Sequence, residues 1–195
     1  MSMDLVLAAV LGISLAAACG FRVFIPMLGI SIAALSGHLT LSSELSWLGT
    51  WPAVTVFGAA TVTEIAAYYI PWLDNILDHA AVPLATACGI ILTAAVLTDD
   101  ISPYFRWALA IIAGGGTAAV VSTATSALRL ASTGFTGGLF NFVFSSIENI
   151  ISIIITLLVI LLSSLAGLIL IILLFVLVKK LTKRFKSSLA ASSAG

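Results

Sequence analysis

The feature that most constrains this chain is a series of long apolar stretches that runs almost from end to end. The longest of them without a charged side chain lies at residues 150–178. As one continuous helix it would extend about 43 Å, more than the roughly 30 Å of a bilayer's hydrocarbon core. Only 8% of all residues are charged, whereas soluble domains carry about 25%. We therefore expect the bilayer to be the solvent, which excludes a cytosolic enzyme, a disordered protein and a basic nucleic-acid binder.

The apolar stretches predict an all-α integral membrane protein, a polytopic helical bundle of about five to seven spans with broken or re-entrant short segments. Residues 5–35 are too long for one span, and we expect a break near Arg22 and Pro26, because proline removes a backbone donor. The other predicted segments are spans at 51–70, 81–97, 105–130 and 150–178, an amphipathic piece at 71–79 and a short apolar piece ending near 145.

The charges predict a topology. Five of the eight basic residues follow the last apolar stretch, and cytoplasmic flanks of spans are enriched in Lys and Arg. Residues 1–178 then form a single transmembrane domain, and residues 179–195 form a basic cytoplasmic tail. We expect a multi-pass protein of the bacterial inner membrane. Tyr68, Tyr69 and Trp72, at the end of the second span, match an interfacial aromatic belt.

Two stretches share an order of features, which indicates a possible inverted repeat. Residues 4–79 and 104–178 each contain a small-residue span ending near an arginine, a broken short segment and a span with a glutamate. The span at 81–97 would link the two halves and turn the second upside down. Such repeats are typical of transporters whose site lies at the repeat interface.

Three charged side chains within the apolar stretches need an explanation, because a charge at mid-bilayer costs about 2.5–3.5 kcal/mol. Arg22 either snorkels to headgroups or has a function, and for Arg129, on a small and hydroxyl-rich helix face, function is the favoured interpretation. Glu64 either pairs with Arg22 or Arg129, or serves as a protonatable or ion-binding carboxylate.

Other polar residues are weaker candidates. Asp74 and Asp78 share one helix face and, with His79, offer a divalent-cation site, although a solvated interfacial turn is the simpler interpretation. Glu148 opens the predicted last span, where the helix dipole stabilises an acid in the first turn. Asn141 is a candidate for contributing to a polar cavity.

Signatures of enzymes are absent from the sequence. It contains no G-x-S-x-G, no H-E-x-x-H, no Walker loop and no Cys/His ligand cluster. Cys19 and Cys88 lie among small apolar residues and are expected to be buried free thiols. Gly114, Gly115 and Gly116 are expected to serve helix packing. We predict a non-enzymatic protein with no cofactor and no bound metal.

The order of several residues along the chain resembles that of a known family. These residues are Gly20, Arg22, Glu64, Pro71, Asp74, Asp78, Arg129, Ser145 and Glu148. The chain is similar, from its first span to Glu148, to an uncharacterised bacterial membrane family, domain of unknown function 4126. Members typically have an acid–base pair where this chain has Tyr68 and Tyr69, and an acid where it has Asn149. The resemblance implies the architecture and no activity.

Together these features predict a small transporter or channel-like protein that binds a small solute or ion near the bilayer midplane. The residues expected along its pathway are Arg22, Glu64, Arg129, Asp74, Asp78, Glu148 and Asn141. The expected partners are the lipid bilayer, the solute or ion and a possible homo-oligomer, with no nucleic acid. The alternative is a non-transporting membrane scaffold or lipid-binding partner protein, in which the charges form static ion pairs.

Overall fold

The computed structural model describes residues 3–97, 99–136 and 140–163, without the side chains of 3–4, 71–76, 78–79 and 135–136. Every regular element in these ranges is a helix, as predicted. The α-helices are α1 (Met3–Phe21), α2 (Phe24–Leu35), α3 (Trp51–Ala67), α4 (Pro71–Val96), α5 (Pro103–Leu109), α6 (Gly116–Thr136) and α7 (Asn141–Ser163). A 3-10 helix, Ser43–Gly49, precedes α3, and a π-helical segment, Ala110–Gly115, joins α5 to α6.

The break predicted in the first apolar stretch is confirmed, at Arg22 and Val23 between α1 and α2. Pro26 lies just after it, in the first turn of α2. There proline is tolerated, because the first N–H groups of a helix have no partner within the helix. The helix break therefore precedes the proline.

Two predicted boundaries were wrong. The pieces expected at 71–79 and 81–97 form the single helix α4, which includes Pro83. The last long helix begins at Asn141 and not near 150, so Glu148 lies two turns inside it and is not a first-turn acid. The polar residues near 148 occupy one buried helix face, and a helix needs no break to bury a polar stripe against its neighbours.

The core forms where α1 packs against α4 and α6. Fully buried Leu15, Ala16 and Cys19 of α1 meet Leu92 of α4 and Ala118 of α6 in one apolar cluster. Small residues set these contacts, because they let helix backbones approach closely. A Cβ on Gly89 of α4 would lie 2.6 Å from that of Ala118. Both cysteines are free and buried, as predicted.

Within the described residues, two helices are long and apolar enough to cross a membrane, Pro103–Gly134 and Asn141–Ser163. Four shorter apolar helices accompany them, at Leu5–Phe21, Phe24–Leu35, Trp51–Ala67 and Ala80–Val96. Met1–Ile160 form one compact unit and Leu161–Gly195 a second, of which the description covers 161–163. The basic tail predicted at 179–195 lies outside the described residues.

Candidate functional site

The break between α1 and α2 is capped by a carboxylate from α3. Glu64 accepts hydrogen bonds from the backbone N–H of Val23, at 2.8 Å, and of Phe24, at 3.0 Å. These groups begin α2, where backbone donors lack helical partners and the helix dipole favours a negative charge. Glu64 thus stabilises the start of α2. Among the described residues it makes no ion pair within 4.0 Å, so the predicted pairing with Arg22 or Arg129 was wrong.

The end of α1 is stabilised by hydroxyl groups from two other helices. Ser152 of α7 donates a hydrogen bond to the carbonyl of Ala18, at 3.1 Å. Thr125 of α6 lies 3.4 Å from the carbonyl of Gly20. The Ala18 carbonyl also accepts the Arg22 N–H, at 3.0 Å, so Ser152 adds a second donor there, whereas Gly20 lies in the last turn, where carbonyls lack helical partners. Side chains of α3, α6 and α7 therefore hold both sides of the break.

The arginine at the break shares one carboxylate with a second arginine. Arg22 Nη2 lies 3.1 Å from Glu148 Oε2, and Arg129 Nη1 lies 3.2 Å from the same oxygen. Arg22 Nη2 also donates to the carbonyl of Ser145, at 3.0 Å. Arg22 and Arg129 are only 1% and 2% exposed, so headgroup snorkelling of Arg22 was a wrong interpretation. Glu148 thus contacts both buried arginines.

The ring of Tyr68, at the end of α3, lies beneath both guanidinium groups. The Cζ atom of Arg22 lies 3.7 Å from the ring centroid, and that of Arg129 lies 4.5 Å from it. An aromatic face attracts cations through its quadrupole, most strongly where water is excluded. Tyr68 is buried, so its assignment to an interfacial belt was wrong, whereas Tyr69 is 42% exposed. We call Arg22, Glu64, Tyr68, Arg129 and Glu148 the charge cluster.

The charge cluster retains unused donors. Arg22 Nε and Nη1 are buried and have no hydrogen-bond partner within the described ranges. On the adjacent face of α7, the hydroxyl of Ser145 and the amide oxygen of Asn149 are also buried without a hydrogen-bond partner in these ranges. Because buried polar groups are normally hydrogen-bonded, such a concentration marks a place that accommodates a polar ligand or water.

Polar side chains extend from the charge cluster along two helices. On α7, one face carries buried Asn141, Ser145, Glu148, Asn149, Ser152 and Thr156. On α6, the buried polar side chains are Ser122, Thr125, Arg129 and Ser132. Residues 141–156 cover about 22 Å of helix rise, most of a roughly 30 Å hydrocarbon core. We call these two rows the polar stripe.

A cavity of about 280 Å³ adjoins the charge cluster. Glu64 and Tyr68 belong to its wall, together with apolar side chains that include Phe24, Leu77 and Leu84. One water occupies about 30 Å³ of liquid, so the cavity has room for a small solute. A hydrophobic wall with a few polar groups is typical of small-molecule sites.

The predicted pathway residues are only partly brought together. Arg22, Arg129 and Glu148 meet directly, with Glu64 across the helix break. Asn141 is separate from the ion pairs, and its Nδ2 donates to Thr133 Oγ1 at 2.8 Å. The side chains of Asp74 and Asp78 lie outside the described residues. Where the structure describes side chains, it contains no group of three or more His, Cys, Asp or Glu that would hold a metal ion.

Tyr68 is the site residue that the sequence reasoning missed. It lies four residues after Glu64, and residues at this spacing share a helix face. That spacing indicates that Tyr68 lies on the buried face of α3.

A second ionic group lies at the α4–α5 turn, which we call the loop cluster. Buried Arg106 of α5 contacts Glu44, at 2.7 Å, and Asp99, at 2.5 Å. The side chains of these acids are 43% and 52% exposed. Asp99 also accepts a hydrogen bond from the Ser43 N–H, at 3.0 Å. This backbone N–H, followed by Arg106, holds the pKa of Asp99 below its ordinary value.

Comparison with known proteins gives one match. The sequence profile of a family described as domain of unknown function, DUF4126, matches residues 9–183. No curated protein matches this chain, and no solved structure does.

Proposed function

The chain belongs to the DUF4126 family, whose description assigns no activity, and from its structure we propose that it is a polytopic membrane protein that binds a small solute or ion at the charge cluster and carries it across the bilayer. The proposal has three supports: the outer surface, the helix break and the polar stripe.

The outer surface supports a bilayer environment. Large apolar side chains are exposed along the two longest apolar helices, among them Ile112, Val120 and Leu130 on one and Ile150 and Leu157 on the other. Soluble monomers rarely expose continuous apolar patches of this extent. In lipid the same side chains face their natural solvent, while the charges lie inside the bundle.

The observation that carries the proposal is a broken helix beside buried charges. In lipid, non-helical backbone is tolerated only where protein buries it or where it lines a cavity. Transporters place substrate sites at such breaks, where helix ends present their backbone dipoles. Here the break at Arg22 and Val23 lies among two arginines, two glutamates and an adjoining cavity.

The polar stripe supports movement as well as binding. It continues from Glu148 past Asn149 and Ser152 to Thr156, on a face that packs against other helices. Hydroxyl and amide groups at successive turns offer a dissolved ion or solute alternative partners as it moves. We therefore propose that the pathway follows the α6 and α7 faces.

The finer architecture belongs to the same proposal. We propose that residues 4–79 and 104–178 are inverted repeats, since each half has an arginine towards the end of one apolar helix and a glutamate in a later apolar helix. We also propose the bacterial inner membrane with the C-terminus in the cytoplasm, from the basic residues after 178. A homo-oligomer would enlarge the enclosed volume.

A flux measurement tests the proposal. Purified protein in liposomes is mixed with solutions of potassium, chloride, nitrate or glycerol, and the rate of vesicle swelling reports the entry of each. At least one solute should enter faster than into protein-free vesicles. Its rate should fall about tenfold or more in Arg22→Gln, because the charge cluster would lose one of the two cations that contact the Glu148 carboxylate. Glu64→Gln should lower it as well, by weakening the α2 cap.

The matched control is Arg106→Gln, which removes the arginine of the loop cluster and should leave the rate unchanged.

One specific observation favours the alternative of a static scaffold: Glu64 already accepts hydrogen bonds from two backbone N–H groups. Solute entry equal to that of protein-free vesicles, or equal rates in wild type, R22Q and E64Q, would support the scaffold and overturn transport.

A further inference from the structure

We infer that two bands of exposed aromatic side chains lie at the two lipid–water interfaces of the bilayer, and that the charge cluster lies closer to one interface than to the other. The first aromatic band comprises Trp47, Trp51, Tyr104 and Phe105, and the second aromatic band comprises Tyr69, Phe140 and Phe142. The inference rests on the proposed function, because it gives the proposed binding site a depth in the bilayer.

The first aromatic band lies beside the loop cluster. Glu44 of the 3-10 helix contacts Arg106 of α5, at 2.7 Å, and accepts a hydrogen bond from Trp107 Nε1, at 3.2 Å. Because α3 begins directly after the 3-10 helix, these contacts hold the starts of α3 and α5 at one end of the bundle. At this end Trp47 is 50% exposed and Tyr104 is 90% exposed.

The second aromatic band joins the end of α3 to the start of α7. The ring centroids of Tyr69 and Phe142 lie 5.4 Å apart, and the Tyr69 hydroxyl lies 3.2 Å from Ser146 Oγ. Tyr69 is 42% exposed and Phe142 is 59% exposed. Tyrosine and tryptophan are enriched at membrane–water interfaces, because their rings combine an apolar body with a polar tip.

The distance between the two bands matches the thickness of a bilayer. Tyr69 lies 18 residues after Trp51, along α3 and its last turn. This length gives a rise of about 27 Å, close to the roughly 30 Å of the hydrocarbon core. Between the bands α3 exposes Val56 and Val62, whereas its one charged residue, Glu64, is buried. The length of α3 therefore suits a bilayer whose two interfaces coincide with the bands.

The exposed polar groups agree with this placement. Among the charged side chains that the structure describes, the exposed ones are Glu44, Asp99 and Asp100, beside the first aromatic band and outside the proposed core. The exposed hydroxyls of Thr55 and Thr63 donate hydrogen bonds to backbone carbonyls of their own helix, α3. A lipid surface is the partner that this arrangement fits, since charge inside the hydrocarbon core is costly.

Two helices give similar depths for the charge cluster. On α3, Glu64 lies 13 residues after Trp51 and five before Tyr69, which is about 20 Å and about 8 Å of rise. On α7, Glu148 lies six residues after Phe142, a rise of about 9 Å. A solute therefore reaches the arginines over a short distance from the second aromatic band. The polar stripe on α7 continues the pathway towards the first.

The depth of α3 is measured by quenching of tryptophan fluorescence with phospholipids that carry bromine at different acyl positions. The full chain in liposomes contains one tryptophan at a time, with phenylalanine at the other native tryptophan positions. Native Trp51 and Tyr69→Trp should be quenched most by bromine near the headgroups. Ala59→Trp should be quenched most by bromine near the bilayer centre, and Ala66→Trp by bromine at an intermediate position. Deepest quenching at Ala66→Trp would place Glu64 at the midplane and overturn the inferred asymmetry.

A second measurement does not depend on aromatic substitutions in the core of the bilayer. A membrane-impermeant thiol reagent is added to intact cells or to inverted membrane vesicles that contain the full chain. Tyr104→Cys should react in one preparation, and Tyr69→Cys only in the other. Val62→Cys, the matched control between the bands, should react in neither, as should the wild type, whose Cys19 and Cys88 are buried. Reaction of Tyr104→Cys and Tyr69→Cys from the same side would overturn the two bands.

The flux measurement separates a failure of this inference from a failure of the proposed function. Solute entry combined with labelling of both bands from one side would overturn the placement of the bands and leave transport standing. The expected depth profile without any solute entry would support the bands and overturn transport.

Discussion

The charge cluster and the loop cluster use the same chemical groups in opposite surroundings. In both, a buried arginine contacts carboxylates at hydrogen-bonding distance. In the loop cluster the two acids are 43% and 52% exposed, and they outnumber the arginine. In the charge cluster the shared acid, Glu148, is 7% exposed, and two arginines compete for it. The two clusters therefore differ in how far water reaches their carboxylates.

Water access decides what each ion pair contributes. Exposed pairs are screened and contribute about 0–1 kcal/mol, whereas removing one partner of a buried pair leaves a desolvated charge. A protein that needed only stability could use exposed pairs alone. We propose that solute binding explains why two arginines are buried at the helix break. The predictions below test this contrast, beginning with the largest expected effect.

Removing the shared acid should separate the two clusters most clearly. Glu148→Ala leaves Arg22 and Arg129 buried without their common carboxylate, so the free energy of unfolding should fall by about 3–5 kcal/mol. The matched Glu44→Ala removes an exposed acid from Arg106, and its cost should be about 0–1 kcal/mol. Both are measured by SDS titration of the protein in mixed micelles. Equal losses in the two variants would contradict the contrast.

The close packing that brings the arginines together should be nearly as sensitive. A Cβ on Gly20, two residues before Arg22, would lie 2.5 Å from the Cβ of Val121 on α6. Gly20→Ala should therefore force α1 away from α6 and cost about 1–3 kcal/mol. It should also change the distance between Arg22 and Arg129, so the rate of solute entry should fall together with stability.

The control for this substitution is Gly116→Ala in α6, where an added Cβ meets no atom within 4 Å. Alanine stabilises a helix by about 0.8–1.0 kcal/mol relative to glycine. This variant should therefore be as stable as the wild type or slightly more stable. Thermal unfolding in detergent compares the two. If Gly20→Ala is as stable as wild type, the close approach of α1 to α6 does not hold the charge cluster together.

The sequence predicted the helical class and singled out Arg22 and Arg129 as candidate site residues, because charges within long apolar stretches must be buried or paired. It also predicted the break after the first span. The partners could not be predicted, since Arg22 contacts Glu148 across 126 positions of chain, and hydropathy carries no information about which helices adjoin. Glu64 looked like an ion-pair partner, but the start of α2 provided two backbone donors at closer range.

The predictions of the start of α7 and of the position of Tyr68 were wrong for related reasons. Polar residues interrupted the apolar pattern near Glu148 and Asn149, which indicated a boundary. In the structure they share the buried face of a continuous helix. Tyr68 fitted an interfacial belt because tyrosine is amphipathic, yet the arginine pair binds its ring in the interior. Hydrophobicity patterns distinguish apolar from polar faces, but they do not distinguish water from a buried polar site.

The smallest expected effect concerns Asp99 in the loop cluster, whose pKa is lowered first by the Ser43 N–H and then by Arg106. A lowered pKa means that the folded state favours the carboxylate. Its contribution to stability is therefore present near neutral pH and is lost as the pH falls through the folded-state pKa. Asp99→Asn should remove that dependence, and the wild-type minus variant difference in melting temperature should shrink between about pH 6 and about pH 3. Because the carboxylate is solvated, the difference should be small and weaken further with added salt. A difference that grows on acidification would show that Asp99 is stabilised in its protonated form, and the loop cluster would then resemble a desolvated site.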